Sequence, residues 1–181
     1  MTKPPGDLLT RPARTAAALV GLALLDEARV GCGRLAAPDD AEALHDFRVA
    51  LRRLRSVLRS FRSELGDAVS RKLQRRLRDV TRATGAARDA EVQIGWVRSH
   101  RAELGRRLAP GLPWLLARLA QQQDEAYATI RRKVPGEFRQ FERRVRRGLS
   151  ATLLDASPAV PSFATATCRR PERRPPAKSK T

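Results

Sequence analysis

Apolar residues recur every three to four positions along most of this chain, and strand-like alternation with hairpin turns is missing. That period predicts helices throughout. The first runs from about Pro12 to Leu35, and Pro38-Asp39-Asp40 breaks the chain after it. Asp39 and Glu42 have the spacing of a capping box and open a second helix that runs to about Leu65, ended by Gly66-Asp67. A third covers about Ala68 to Thr84, with Gly85 suited to a C-cap. A fourth covers about Arg88 to Leu108 and a fifth, after Pro110-Gly111, Leu112 to Lys133. Pro135-Gly136 separates that from a sixth, Glu137 to Leu154. The expected fold is all-α: an antiparallel bundle of about six helices over residues 12–155, behind a flexible leader of residues 1–11. From Ser157 onward prolines are spread among small and basic residues, so residues 156–181 read as a disordered, Pro-rich basic tail. Its Arg169, Arg170, Arg173 and Arg174 would add non-specific affinity for anions.

The second helix carries two stripes. Leu44, Phe47, Leu51, Leu54, Leu58, Phe61 and Leu65 alternate spacings of three and four, which makes one apolar seam. One residue later at each step come His45, Arg48, Arg52, Arg55, Arg59 and Arg62. A one-residue offset turns a helix by about 100°, so this row runs along the border of the buried face, flanked by Arg53. Like charges at these spacings oppose the helix by about 0.2–0.5 kcal/mol per pair. A solvated face normally mixes signs, yet from His45 to Arg82 there are 12 Lys or Arg against 4 Asp or Glu. The third helix repeats the pattern, with Arg71, Arg75, Arg78 and Arg82 on one side and Leu73, Leu77 and Val80 toward the core. Taken singly, each arginine is more often a solubilising surface group, and His45 alone is more often structural. The doubled row is harder to read that way.

Composition sharpens the picture. The 181 residues include 37 Lys and Arg and 19 Asp and Glu, a net charge of +18, which favours a partner dense in negative charge. The preference for Arg over Lys matches a chain rich in Ala, Gly and Pro, so it adds nothing to the argument. Cys32 and Cys168 form neither a metal cluster nor a disulfide framework and read as free thiols. Lys3, Arg11 and Arg14 ahead of the apolar run Ala16–Leu25 imitate a signal peptide. The run is followed at once by Asp26, Glu27 and Arg29, and it is too short to span a membrane. It reads as a buried helix, and the location expected is cytoplasmic.

His45-Asp46-Phe47-Arg48-Val49-Ala50-Leu51-Arg52-Arg53-Leu54-Arg55, followed by Leu58 and Phe61, resembles the signature of the CHAD family, the conserved-histidine α-helical domain. The later Thr84-Gly85-Ala86-Ala87-Arg88-Asp89-Ala90-Glu91-Val92 is similar to that family's second landmark. The resemblance covers about residues 13–154. It implies an all-α bundle that binds inorganic polyphosphate through basic side chains lining a groove, in a family associated with polyphosphate granules or fused to a triphosphatase domain. It carries His45, Arg48, Arg52, Arg53, Arg55 and Arg88 over as polymer ligands. Arg59, Arg75, Arg78 and Arg82 join them from the helical stripes. Typical members have two related helical halves, the second ending in an Arg-Tyr pair, and no such motif precedes the Pro-rich tail. The chain therefore resembles the N-terminal half: either a homodimer rebuilds the groove and covers the apolar surface a half would expose, or the half binds weakly, or the gene is truncated.

Four function classes compete. Polyphosphate presents closely spaced charges that a row of guanidinium groups can match. Nucleic acid is a weaker reading: aromatics are 4%, and Trp96, Trp114, Phe47 and Phe61 read as core, which leaves no stacking platform. No recognition helix with base-reading Asn or Gln is evident either. Catalysis is not expected, since no phosphate loop, nucleophile elbow or metal-ligand spacing occurs and His100 has no partner pattern. No cofactor is expected. A membrane-surface role fits poorly with a basic row beside a buried seam.

Overall fold

A computed structural model describes residues 7–155 except 38, 39 and 41. The expected tail and Asp39 of the capping box lie outside the described residues. Among those described, the α-helical segments are α1 (Ala13–Arg34), α2 (Ala43–Ser60), α3 (Arg62–Leu65), α4 (Arg71–Ala83), α5 (Gly85–Ser99), α6 (Gly105–Leu108) and α7 (Leu112–Leu154). Short 3-10 turns, Gly66–Val69 and Ala109–Gly111, precede α4 and α7. The all-α expectation holds.

Every residue of the α2 seam from Leu44 to Leu58 is buried, as are Ala16, Ala17, Ala18, Leu24 and Leu25 of the run that imitates a signal peptide. That run is an inner face of α1. α1 packs along both α2 and α7, and α4 also touches both. α2 and α7 occupy diagonal positions and meet through Phe47 and Phe138, whose rings stand edge to face 5.3 Å apart. Two glycines permit close approach. A Cβ on Gly31 of α1 would lie 3.0 Å from the Phe47 backbone, and one on Gly148 of α7 would lie 2.8 Å from the Ala68 carbonyl oxygen.

Several boundaries differ from expectation. The fifth and sixth helices are one: α7 runs 43 residues straight through Pro135-Gly136. Pro135 removes one hydrogen bond, but Ile130, Val134, Phe138, Phe141, Val145 and Leu149 keep one apolar phase across it and are all buried. Arg139 Nε also donates to the Pro135 carbonyl at 3.2 Å. The fourth helix stops at Ser99, well short of Leu108, and Gly105 turns the chain at φ 69°. Gly85 is not a left-handed cap; it opens α5 directly after Thr84. The second helix bends at Phe61 (φ −104°, ψ 29°) before α3. Residues 7–10 of the expected leader form a turn with Leu8 buried, and Arg11 grips Asp7 at 2.6 Å.

The start of α2 has no side-chain cap. Arg34, in the last turn of α1, forks onto Asp40 through Nε (2.6 Å) and Nη2 (2.8 Å), and its Nη1 donates to Asp46 at 2.6 Å. One guanidinium thus ties the end of α1 to the entry of α2. The Arg34 fork holds the Asp40 carboxyl below its usual 3.8. A depressed carboxyl contributes stability above its ordinary pKa, and that contribution is lost as pH falls through the lower folded value. Arg34→Gln should therefore flatten acid unfolding below pH 4, as followed by helical circular dichroism. An unchanged acid profile would show the fork to be energetically idle. Separately, Gly148→Ala should lower stability by about 1–3 kcal/mol, since the added methyl overpacks a backbone contact; thermal melts measure this.

Candidate polyanion groove

Burial of the α2 seam leaves the next residue of each step at the rim. There His45, Arg48, Val49, Arg52 and Arg55 line a groove of about 380 Å³, closed on the far side by Thr81 of α4 and Arg88 of α5. None of its lining residues is acidic. Four guanidinium groups and an imidazole thus converge from two sequence segments 33 residues or more apart, matching both landmarks of the resemblance.

Arg48 does two things. Its Nη1 donates to Thr84 Oγ1 at 2.8 Å and to the Thr81 carbonyl at 3.2 Å, which fastens α2 to the end of α4. Thr84 is fully buried, and its hydroxyl in turn donates to the Thr81 carbonyl at 2.8 Å. Arg88 is held by Glu91, Nη1 to Oε2 at 2.9 Å. Glu91 Oε1 accepts a short bond from the Tyr127 hydroxyl on α7. Burial first, and then the bond to Glu91, push the Tyr127 hydroxyl well above its usual pKa, so it stays a donor. Arg88 is thereby oriented through a chain reaching α7. Arg52 and Arg55 are exposed and have no acidic partner among the described residues.

The other expected ligands lie elsewhere. Arg53 points to the opposite flank of α2, 3.9 Å from Glu27, in a second groove that also holds Asp26, Arg34 and Asp46. Arg59 is exposed one turn beyond the lined stretch. Arg75, Arg78 and Arg82 are exposed on α4 and do not line the groove. Their row is turned by more than 100° from Leu77 and Val80, so it faces solvent while Thr81 faces α2. Thr81, Thr84, Glu91 and Tyr127 were not singled out as site residues by sequence. Tyr127 lies 36 residues from Glu91, and no periodicity links them.

Two aromatic assignments also change. Trp96 and Trp114 are not core: they are 52% and 73% exposed, while Phe47 is buried and Phe61 half-buried. Trp96 stacks on His100 at 4.6 Å, which accounts for that histidine's surroundings. Cys32 is buried, and burial pushes its thiol up to about 11, an unreactive state. Among the described residues no group of three or more His, Cys, Asp or Glu could hold a metal ion, and no helix is long and apolar enough to cross a membrane.

The geometry thus defines an all-α bundle with a basic groove on its rim. The family model of the CHAD domain matches residues 22–178, extending past Leu154 into residues outside those described. The chain belongs to the CHAD-domain family. No curated protein and no solved structure matches it. Thr84→Val, which keeps the shape and removes the acceptor of Arg48, should cost about 1 kcal/mol in a urea melt without loss of helix. A neutral result would show that the Thr81 carbonyl alone suffices.

Proposed function

We propose that this chain binds inorganic polyphosphate without catalysis, along the groove of His45, Arg48, Arg52, Arg55 and Arg88. The observation that carries this reading is the lining: five basic or imidazole side chains and no acid, in a surface recess of about 380 Å³. Guanidinium groups spaced one turn apart, about 5–6 Å along the helix, suit a polymer whose charges repeat at short intervals. Membership of the CHAD-domain family points the same way. Arg88, held in place by Glu91, would meet the polymer already oriented; Arg48 would bind it while keeping its bond to Thr84.

A nucleic-acid reading gains one observation, the exposure of Trp96 and Trp114. Both stand in a stretch without net charge, residues 89–125, with five Arg and five Asp or Glu. Stacking platforms for single strands set aromatics along a positively charged groove, and that stretch carries no net positive charge. Polyphosphate is therefore the better fit.

Arg52→Gln with Arg55→Gln tests the site without touching the Arg48–Thr84 link. The double variant should weaken polyphosphate binding by about tenfold, or ~1.4 kcal/mol, and lower the salt slope of log K by roughly 1–2. Its melting temperature should hold or rise, because stacked like charges are relieved. In competition at fixed salt and matched phosphate, long-chain polyphosphate should displace single- and double-stranded DNA. DNA binding of equal strength would hand the groove to nucleic acid.

A further inference from the structure

The second half of α7 is strongly basic, and the groove makes no use of it. From Arg131 to Arg147 it holds eight Lys or Arg and two Asp or Glu. Glu142 is buried and accepts from Arg146 at 2.9 Å, and Arg146 also reaches Asp26 of α1 at 2.7 Å. Arg131 lies over the Tyr127 ring. The remaining bases, Arg132, Lys133, Arg139, Arg143, Arg144 and Arg147, are all exposed. None of them has an acidic partner among the described residues.

These six share one side of the helix. At about 100° per residue, Arg147 stands about 180° from Phe138, Lys133 and Arg143 about 140°, Arg132 and Arg144 about 120°, and Arg139 about 100°. Phe138 meets Phe47 of α2 across the core, so the basic side points away from α2. Only an unbroken α7 brings Arg132 and Lys133 into line with the later arginines. The face runs about 22 Å along the helix, and its one exposed acid, Glu137, sits on the flank. No residue of α7 lines the groove. The two surfaces lie across the α2–α7 diagonal, separated by two helices of about 10 Å each. The stretch of polymer that fills the groove therefore cannot also touch the α7 face. Stacked like charges oppose a helix, and arginines that serve structure here are paired, Arg11 with Asp7 and Arg34 with Asp40 and Asp46.

We propose that the outer face of α7 is a second site for a phosphate polymer, and that one protein chain thereby cross-links two stretches of polyphosphate. The inference rests on the polyphosphate reading of the groove. Guanidinium groups one turn apart, as at Arg139, Arg143 and Arg147, match closely spaced phosphates here as they do there. The chemistry of the face selects this occupant. Between Arg132 and Arg147 no large hydrophobic side chain is exposed. A single strand finds no ring to stack on, and a bilayer finds nothing to insert. Two sites on opposite sides of one bundle cannot close on one short stretch of polymer, so their joint avidity is realised on long chains or between chains.

The test titrates the full-length protein with a short oligophosphate, too short to reach both faces, and with long-chain polyphosphate. Calorimetry should count two short oligomers per wild-type chain. Arg143→Gln with Arg144→Gln and Arg147→Gln, all at exposed positions, should leave one, with unchanged helicity. Long-chain polymer should make the wild type scatter light at intermediate ratios and clear in polymer excess, while the triple variant binds without scattering. A charge-matched control, Arg98→Gln with Arg101→Gln and Arg107→Gln, should keep both sites and the scattering. A control that loses scattering as fully as the α7 variant reduces the effect to net charge and overturns the proposal. One short oligomer per wild-type chain overturns it too, as does an α7 variant that behaves like wild type. If instead Arg52→Gln with Arg55→Gln changes nothing, the groove reading fails while the α7 count still stands or falls on the triple variant. Stronger binding of duplex DNA than of polyphosphate to the Arg52/Arg55 variant would hand the α7 face to nucleic acid.

Discussion

Burial of the α2 seam fixes where the arginines of this protein can be. Leu44, Phe47, Leu51, Leu54 and Leu58 are each no more than 1% exposed. At about 1.5–3 kcal/mol per large side chain, their burial contributes on the order of 10 kcal/mol. The opposing term is the repulsion of Arg48, Arg52, Arg55, Arg59 and Arg62, four adjacent pairs at about 0.2–0.5 kcal/mol each, or roughly 1–2 kcal/mol in all. The seam wins by several-fold, so the helix cannot rotate to spread its charges. The row is held at the rim, where α4 and α5 turn it into a groove.

The same constraint sorts the acids. On the flank of α2 that faces α1, Asp26, Glu27, Asp40 and Asp46 meet Arg34, Arg53 and Arg146, and those charges are locally matched. On the other flank the lining is basic without an acid. Glu91 stands just behind it, engaged by Arg88 and Tyr127, so its charge orients a guanidinium from outside the recess. Among the described residues no acid lines the groove, so its positive charge is left unmatched there.

Legibility in the sequence followed the strength of the periodic signal. The seam of α2 and the row beside it were readable because thirteen residues repeat two phases without interruption from Leu44 to Leu65. His45, Arg48, Arg52, Arg55 and Arg88 accordingly came together. Arg53 shows the limit: it belongs to the same run of residues, but Glu27 sits on a different helix, and one sequence does not reveal that pairing. Pro135-Gly136 was misjudged as a break although the buried phase from Ile130 to Leu149 passes through it; local propensity lost to tertiary burial. Trp96 and Trp114 read as core because large aromatics are usually inside, and nothing local says that α5 and the start of α7 leave one side of their contact open.

The two open tryptophans mark how the described chain is divided. The body of α1, α2, α4 and the second half of α7 couples a deep core to a strongly basic rim. α5 and the start of α7 share a small core of their own, with Trp96 and Trp114 open beside it. The basic groove draws on both parts: Arg48 fastens α2 to the end of α4, and Arg88 of α5 is oriented through Glu91 to Tyr127 of α7. The shape of the recess therefore depends on α5 keeping its place against α7 as much as on the buried seam of α2.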